Sequence, residues 1–377
     1  MKKVFLHIGF HKTASSSFQA TCANNSNLLT LQNYHFPLFN CLANDAHSRI
    51  QNHSVPILSS FTEQPHKLRV NIEWRVGRDL EAMNRAYLEQ LDECLLSDKD
   101  LILSGEGISH LSAQRLSVFV KHLRKFNVKI VPFACIRSPY AFHCSALQQV
   151  IKDGGSAHFT SLQSQKKKLL KVEKVFGESF TFIPFAETCR HLLGPAGYLL
   201  QLCGVDITKF EFVKVNEGAS NGATRLQGAM NNLQPKIVDG KLNSRHVRVP
   251  PVCGDKFLLT RDELALIRKD LDDENAFFRK YLGNEFVDQA FPVSDHFTAD
   301  NLVELYPKLF FSDVGKLSNQ TVDYLRDQAI KNEDSLNIAY ELMKLAYASR
   351  PTGPLIRKKL EAYRLRLKIG GNNRTVE

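Results

Sequence analysis

The stretch Val4-Phe5-Leu6-His7-Ile8-Gly9-Phe10-His11-Lys12-Thr13-Ala14-Ser15-Ser16-Ser17-Phe18-Gln19 decides how the chain is read. Val4 to Gly9 is a mostly apolar run of strand length, and a helical pattern opens at Ser15, so the polar residues between form a tight strand-to-helix loop. Backbone N–H groups at a helix N-terminus, the hydroxyls of Thr13, Ser15, Ser16 and Ser17, and the Lys12 ammonium make a cradle for a phosphate-like anion. The loop is not a Walker A, which needs a glycine immediately before the lysine and four residues between its glycines. Here His11 precedes Lys12 and Ala14 follows Thr13. A serine-rich helix N-cap is the second reading of the same residues.

The alternation continues outward. Strands are expected at Leu101 to Ser104, Val128 to Ile136, Phe180 to Phe185 and Phe210 to Val215. Helices are expected at Ser15 to Ala23, Gly77 to Leu96, Ala113 to Phe126, Tyr140 to Ile151, Ser161 to Phe176 and Thr188 to Cys203. In the third of these Leu116, Phe119, Val120, Leu123 and Phe126 fall on one helical stripe. Such alternation predicts an α/β fold with crossover connections and a parallel sheet covered on both faces. Residues 24–76, rich in Asn, His, Gln and Ser, break the rhythm and read as an irregular insertion on the substrate side. Thr260 and Glu263 are spaced as a capping box ahead of Leu264, Ile267 and Leu271. From Phe297 the pattern is helical, broken at Arg350-Pro351-Thr352-Gly353-Pro354. The expected organisation is therefore an α/β domain over 1–296 and a helical C-terminal extension over 297–377.

With 377 residues, 43% apolar and 23% charged, the chain has material for one large domain or two ordinary ones, which excludes global disorder. The apolar stretches fall short of the roughly 20 residues that cross a bilayer. The run after Lys2-Lys3 is interrupted by His7 and is too short for a secretory core. The eight cysteines, at 22, 41, 94, 135, 144, 189, 203 and 253, show no close pairing. Together these predict a soluble, cytoplasmic protein with reduced thiols and no zinc site. The net charge of +10 points to an anionic ligand without naming it.

Two further polar clusters follow strands, and in an open parallel sheet ligands bind at the carboxyl ends of strands. Ile136-Arg137-Ser138-Pro139-Tyr140 ends the most apolar strand, with Ser138 suited to cap a helix and Pro139 to begin it. Leu101-Ile102-Leu103-Ser104-Gly105-Glu106-Gly107-Ile108 sets a carboxylate in a glycine-flanked turn. As a turn residue, Glu106 would instead cap the helix starting near His110.

The first loop resembles the 5′-phosphosulfate loop of sulfotransferases that use 3′-phosphoadenosine 5′-phosphosulfate (PAPS). Bacterial members of that family often read His-Ile-Gly-x-x-Lys-Thr-Gly-Thr-Thr-Ser-x-Gln, matched here by His7-Ile8-Gly9, Lys12-Thr13, Ser17 and Gln19. Ala14 replaces the usual glycine, and Ser15-Ser16 replace Thr-Thr. The resemblance implies a P-loop-like three-layer core in which His11, Lys12, Thr13, Ala14, Ser15, Ser16 and Ser17 hold the 5′-phosphosulfate. It implies that Arg137 and Ser145 grip the 3′-phosphate, an arginine fork and a hydroxyl donor suiting phosphate oxygens. Lys12 would act on the bridging oxygen and Glu106 would be the base, with His110 and His11 in reserve, and no metal would be required. The implied acceptor is a sugar hydroxyl on a polysaccharide or glycolipid. Val215-Asn216-Glu217-Gly218-Ala219-Ser220 resembles a late Asn-x-Ser segment of the family, and Ser244, Arg245, His246 and Arg248 are candidates for a basic loop over the 3′-phosphate. The competing classes are a metal-dependent nucleotide or small-molecule kinase and a non-catalytic sulfotransferase-like binding protein.

Other features read plainly. Lys166, Lys167, Lys168, Lys171 and Lys174 form a solvated helix face, and the lack of interleaved aromatics argues against nucleic acid. His35, His47, His53 and His66 lack ligand spacing for a metal. Leu355 to Ile369 carries six basic residues and one acidic. Its leucines 355, 360 and 367 are expected to pack on the body, with peripheral contact to an anionic membrane as the alternative.

Overall fold

A computed structural model of the chain describes residues 1–10, 12–40, 49–68, 71–72, 79–155, 161–215, 219–233, 235–238, 241–243, 246, 255–294, 319–334 and 336–372. Two compact units emerge, the first comprising 1–142, 164–217 and 271–289 and the second 143–163, 218–270 and 290–377.

The strands of the first unit are β1 Lys3–Ile8, β2 Tyr34–His35, β3 Phe39–Asn40, β4 Arg49–Ile50, β5 Asp100–Gly105, β6 Lys129–Ile136 and β7 Thr181–Pro184. Five of them form a parallel sheet in the order β2-β5-β1-β6-β7, while β3 and β4 make a small antiparallel pair. The named helices among the described residues up to residue 202 are α1 Ser15–Asn24, α2 Ser26–Leu31, α3 Ser54–Phe61, α4 Leu80–Leu96, α5 Ala113–Arg124, α6 Pro139–Lys152, α7 Lys166–Phe176, α8 Phe185–Arg190 and α9 Gly194–Leu202.

Successive strand residues enter different cores, as a pleat requires. Val4, Leu6, Ile8, Leu101, Leu103, Ala134 and Ile136 pack with α3, α4, α5 and α7 through Ile57, Tyr87, Leu116 and Leu169. Phe5, Ile102, Phe133 and Cys135 pack with α1, α2 and α9 through Phe18, Leu29 and Leu199. The fold is α/β with a five-stranded parallel sheet covered by helices on both faces, as the alternation predicts. The stripe on α5 is buried at Leu116, Phe119, Val120 and Leu123, each contributing roughly 1.5–3 kcal/mol of burial.

Three expectations are corrected. Residues 24–76 are not uniformly irregular, for they supply α2, α3 and the edge strand β2, which pairs Tyr34 with Asp100 and His35 with Leu101. Phe210 to Val215 is not a strand. Its backbone bonds to side chains of α1 and of the C-cap Asn25 instead: Asn25 Nδ2 donates to Glu211 O at 2.8 Å, Val213 N to Thr21 Oγ1 at 3.1 Å and Val215 N to Ser17 Oγ at 3.0 Å. The expected helix Thr188 to Cys203 is two helices, α8 and α9, separated at His191 to Leu193, with Gly194 at φ 65°.

The second unit contains α10 Asn221–Leu233, β8 Ile237–Val238, β9 Lys241–Leu242, α12 Asn319–Lys331, α13 Leu336–Ser349 and α14 Pro354–Asn372; α11 Arg261–Tyr281 begins here and ends in the first unit. Its core joins Ala223 of α10 to Val322, Leu325, Leu342, Met343, Ile356 and Tyr363. The capping box forms, with Thr260 N donating to Glu263 Oε2 at 2.8 Å and Glu263 N to Thr260 Oγ1 at 3.2 Å. On α14 the packing residues are Ile356 and Tyr363, with Leu360 partly buried, whereas Leu355 is 47% exposed. The expected boundary between residues 296 and 297 lies outside the described residues.

Candidate functional site

β1 is flanked by β5 on one side and β6 on the other, and the chain order reverses around it. The carboxyl ends of these strands bound the crevice where an open α/β sheet binds its ligand. Ile8 pairs with Gly105, so Gly9 and Glu106 leave the sheet at the same level, joined by the bond from Gly9 N to Gly105 O at 3.2 Å. β6 pairs Phe133 with His7 and runs on to Ile136, which places Arg137 farther along the same edge. A Cβ on Gly9 would lie 2.8 Å from Glu106 Cγ and 2.9 Å from Ser15 Oγ. Only glycine permits this approach, which brings the first-loop serine and the carboxylate together.

In the loop, Lys12 and Ala14 both adopt left-handed backbone, at φ 71° and 59°. Ala14 is the N-cap of α1 and supplies no side-chain oxygen, so the serine-capped helix is not what forms. Thr13 Oγ1 donates to Phe10 O at 2.5 Å, and Ser17 Oγ both donates to Val215 O at 3.3 Å and accepts from Val215 N at 3.0 Å. Ser15 Oγ is buried without a hydrogen-bond partner, and Ser16 is half-buried. Of the loop hydroxyls, those of Thr13 and Ser17 hold the loop, and Ser15 Oγ is left as an unsatisfied buried group. His11 lies outside the described residues.

Behind the loop is a buried polar network. Gln19 Nε2 donates to Ser104 O at 3.1 Å and Ser104 Oγ at 3.2 Å, and His7 Nδ1 lies 2.8 Å from the same hydroxyl. Ser104 N donates to His53 Nδ1 at 2.9 Å, and His53 Nε2 donates to Pro37 O at 2.7 Å. That pattern fixes His53 as the neutral Nε2–H tautomer. Burial pushes His53 down to about 4 against the opposing bond to Pro37, and pushes His7 down to about 4 against the nearby Glu106 charge. These histidines and Gln19 therefore set the end of β5.

Glu106 is half-buried and starts the 3₁₀ turn Glu106–His110. Gly107 N donates to Ser54 Oγ at 2.7 Å and Ser109 Oγ to Glu106 O at 2.7 Å, which fix the turn. Two side chains not foreseen in the sequence reach it from α7. Lys168 Nζ is 3.1 Å from His110 Nε2, and Lys171 Nζ donates to Ser109 O at 2.5 Å. The solvated-face reading fails for both, since each is half-buried, while Lys166 lies over the Phe277 ring at 4.4 Å. Burial, reinforced by Lys171, pushes Lys168 down to about 8, and Glu106 opposes the shift. The available signal was their position beside the buried Leu169 and Val172, where a lysine stem lies along apolar surface.

Arg137 is half-buried, with its guanidinium 4.5 Å from the Phe185 ring centre and its carbonyl accepting from Gln165 Nε2 at 2.9 Å. Ser138 does not cap α6 as expected. Its hydroxyl donates to Asp288 Oδ1 at 2.5 Å, and Asp288 Oδ2 accepts from Tyr140 N at 2.7 Å, so a carboxylate caps the helix. Ser145 is half-buried on α6, in the part of that helix belonging to the second unit. Ser220 caps α10, accepting from Ala223 N at 3.2 Å. Asn216, Glu217, Gly218, Ser244, Arg245 and Arg248 lie outside the described residues, and His246 N donates to Asn243 O at 3.0 Å.

Among the described residues no group of three or more His, Cys, Asp or Glu side chains is placed to hold a metal ion, and no helix is long and apolar enough to cross a membrane. Comparison with protein-family models, with curated proteins and with solved structures found no match.

Proposed function

We propose that the chain is a PAPS-dependent sulfotransferase built on a P-loop-like core. The observation that carries this reading is the meeting of three polar clusters at the carboxyl ends of β1, β5 and β6, with the buried Ser15 hydroxyl left unsatisfied among them. An unsatisfied hydroxyl beside uncapped helix N–H groups fits an anion such as the 5′-phosphosulfate. The donor supplies a sulfuryl group attached to its 5′-phosphate. The segment His11 to Ser17 binds that end through Lys12, the Ser15 and Ser16 hydroxyls and the first N–H groups of α1. Arg137, steadied on Phe185, takes the 3′-phosphate. Glu106 accepts the acceptor's hydroxyl proton as the new O–S bond forms and the S–O bond to the phosphate breaks. Lys12 offsets the charge left on the bridging oxygen, with no metal taking part. The acceptor is a sugar hydroxyl of a polysaccharide or glycolipid. The buried thiols of Cys22, Cys135 and Cys203 fit a reducing compartment, the cytoplasm.

Thermal melting with 3′-phosphoadenosine 5′-phosphate in EDTA tests the reading. At 100 times its dissociation constant it adds about 2.7 kcal/mol of stability, a clear rise in Tm. Equal stabilisation by ADP removes the 3′-phosphate from the argument. A response confined to ATP with Mg²⁺ replaces the reading with a kinase.

A further inference from the structure

Lys168 and Lys171 are three residues apart on α7 and share one helix face. Both reach the turn that Glu106 begins, one at His110 and the other at the Ser109 carbonyl. Among the described residues no carboxylate lies within ion-pair distance of either ammonium. Glu106 is near enough to favour the charged form of Lys168 without pairing with it. Two half-buried cations side by side, each having given up water, are unfavourable for the folded chain by itself. An anion arriving with the substrate would offset that cost. The donor's anionic groups are already assigned to the β1 loop and to Arg137, whereas the base contacts the acceptor.

We infer that Lys168 and Lys171 bind an anionic substituent of the acceptor, so that the substrate is an acidic sugar, carrying a carboxylate or sulfate near the reacting hydroxyl. This rests on the proposed sulfotransferase reading. The lysines hold the charged substituent and leave the neighbouring hydroxyl to Glu106. A neutral sugar would leave both ammonium groups without a counter-charge.

Calorimetric titration of the full chain, saturated with 3′-phosphoadenosine 5′-phosphate, tests the inference. The probes are three disaccharides: one with a glucuronate, one with a single sulfate and one neutral. The acidic pair should bind at least about tenfold more tightly than the neutral one, the scale of one charge-assisted hydrogen bond. The arm that binds better identifies the anion as carboxylate or sulfate. Lys168→Met and Lys171→Met should each remove most of the preference, and Lys167→Met, at an exposed position on the same helix, should keep it. Lys168→Gln serves if the methionine variant does not fold. Equal binding of all three sugars, or a preference that survives both substitutions, overturns the inference while leaving donor binding and the sulfotransferase reading intact. A lysine-dependent preference for the acidic probes in a chain that shows no stabilisation by the donor product upholds the anion site and overturns the sulfotransferase reading.

Discussion

Two regions of the chain treat their cations in opposite ways. In the second unit Arg225 forms two bonds of 2.9 Å to Glu263, with further bonds to Leu258 O and Asn221 Oδ1. There too Lys359 Nζ meets Glu333 at 2.6 Å, and Arg326 and Arg350 both meet Asp323. Around the ends of β1, β5 and β6 the pattern differs. Lys168 and Lys171 touch a histidine and a carbonyl, and Ser15 Oγ has no partner. Matched charges hold a fold. Polar groups left unmatched at a sheet edge weaken it, and a fold tolerates that where a ligand completes the match.

If that contrast is right, the largest effect belongs to chemistry. Glu106→Gln keeps shape and polarity, so stabilisation by 3′-phosphoadenosine 5′-phosphate should be unchanged. Sulfate transfer from PAPS to the tightest-binding disaccharide should fall by about 10² to 10⁴-fold, the loss typical of a missing general base. The helix-cap reading predicts lowered stability with transfer retained. Full activity in this variant, with loss in His110→Ala, would move the role to the histidine and leave the electrostatic contrast standing.

The next effect is on stability and has opposite outcomes in the two regions. Arg225→Met leaves Glu263 half-buried with its fork partner gone. Burial alone raises that carboxyl, and the bonds from Arg225 and Thr260 outweigh it, so its ordinary state is ionised and dependent on the arginine. The expected cost is about 2–4 kcal/mol, below the full value for a deeply buried pair because both side chains retain some solvent. Lys168→Met removes a partly desolvated charge that has no carboxylate partner, so stability should stay level or rise by up to about 1 kcal/mol. Melting curves followed by circular dichroism compare the two directly. A loss at Lys168 as large as at Arg225 would show that the lysine is structural after all.

What could be read from the sequence follows the same physics. β1, β5 and β6 are long enough and buried enough on both faces that Val4 to Ile8, Leu101 to Leu103 and Phe133 to Ile136 announce themselves as apolar runs. The polar residues that follow them were legible for the same reason. β2 was not legible, because two residues, Tyr34 and His35, carry no periodicity. Phe210 to Val215 has the composition of a strand, yet the partners of its backbone are Ser17, Thr21 and Asn25, between 186 and 198 residues earlier, and spacing says nothing about such pairings. Lys168 was hidden differently. A lysine within a lysine-rich helix reads as solvated, and its contact with His110, brought alongside by the fold, leaves no trace in the spacing.

The smallest effect concerns backbone conformation. Lys12 and Ala14 are two of the four described non-glycine residues at positive φ, and the other two, Asn33 and Asn127, are of the type that tolerates it best. Ala14, at φ 59° and ψ 22°, is a left-handed alanine that costs roughly 1–2 kcal/mol relative to ordinary backbone. Ala14→Gly removes that cost and returns part of it as extra freedom of the unfolded chain, about 0.4–1 kcal/mol. The net expectation is a gain of about 0.5–1 kcal/mol, a rise of one or two degrees in Tm. If the strain serves to hold the loop open for the anion, the glycine variant should be more stable alone yet gain no more than the parent from 3′-phosphoadenosine 5′-phosphate. A drop in stability would mean instead that the methyl group of Ala14 packs to better effect than its backbone costs, and the loop would then belong with the well-matched region rather than the unmatched one.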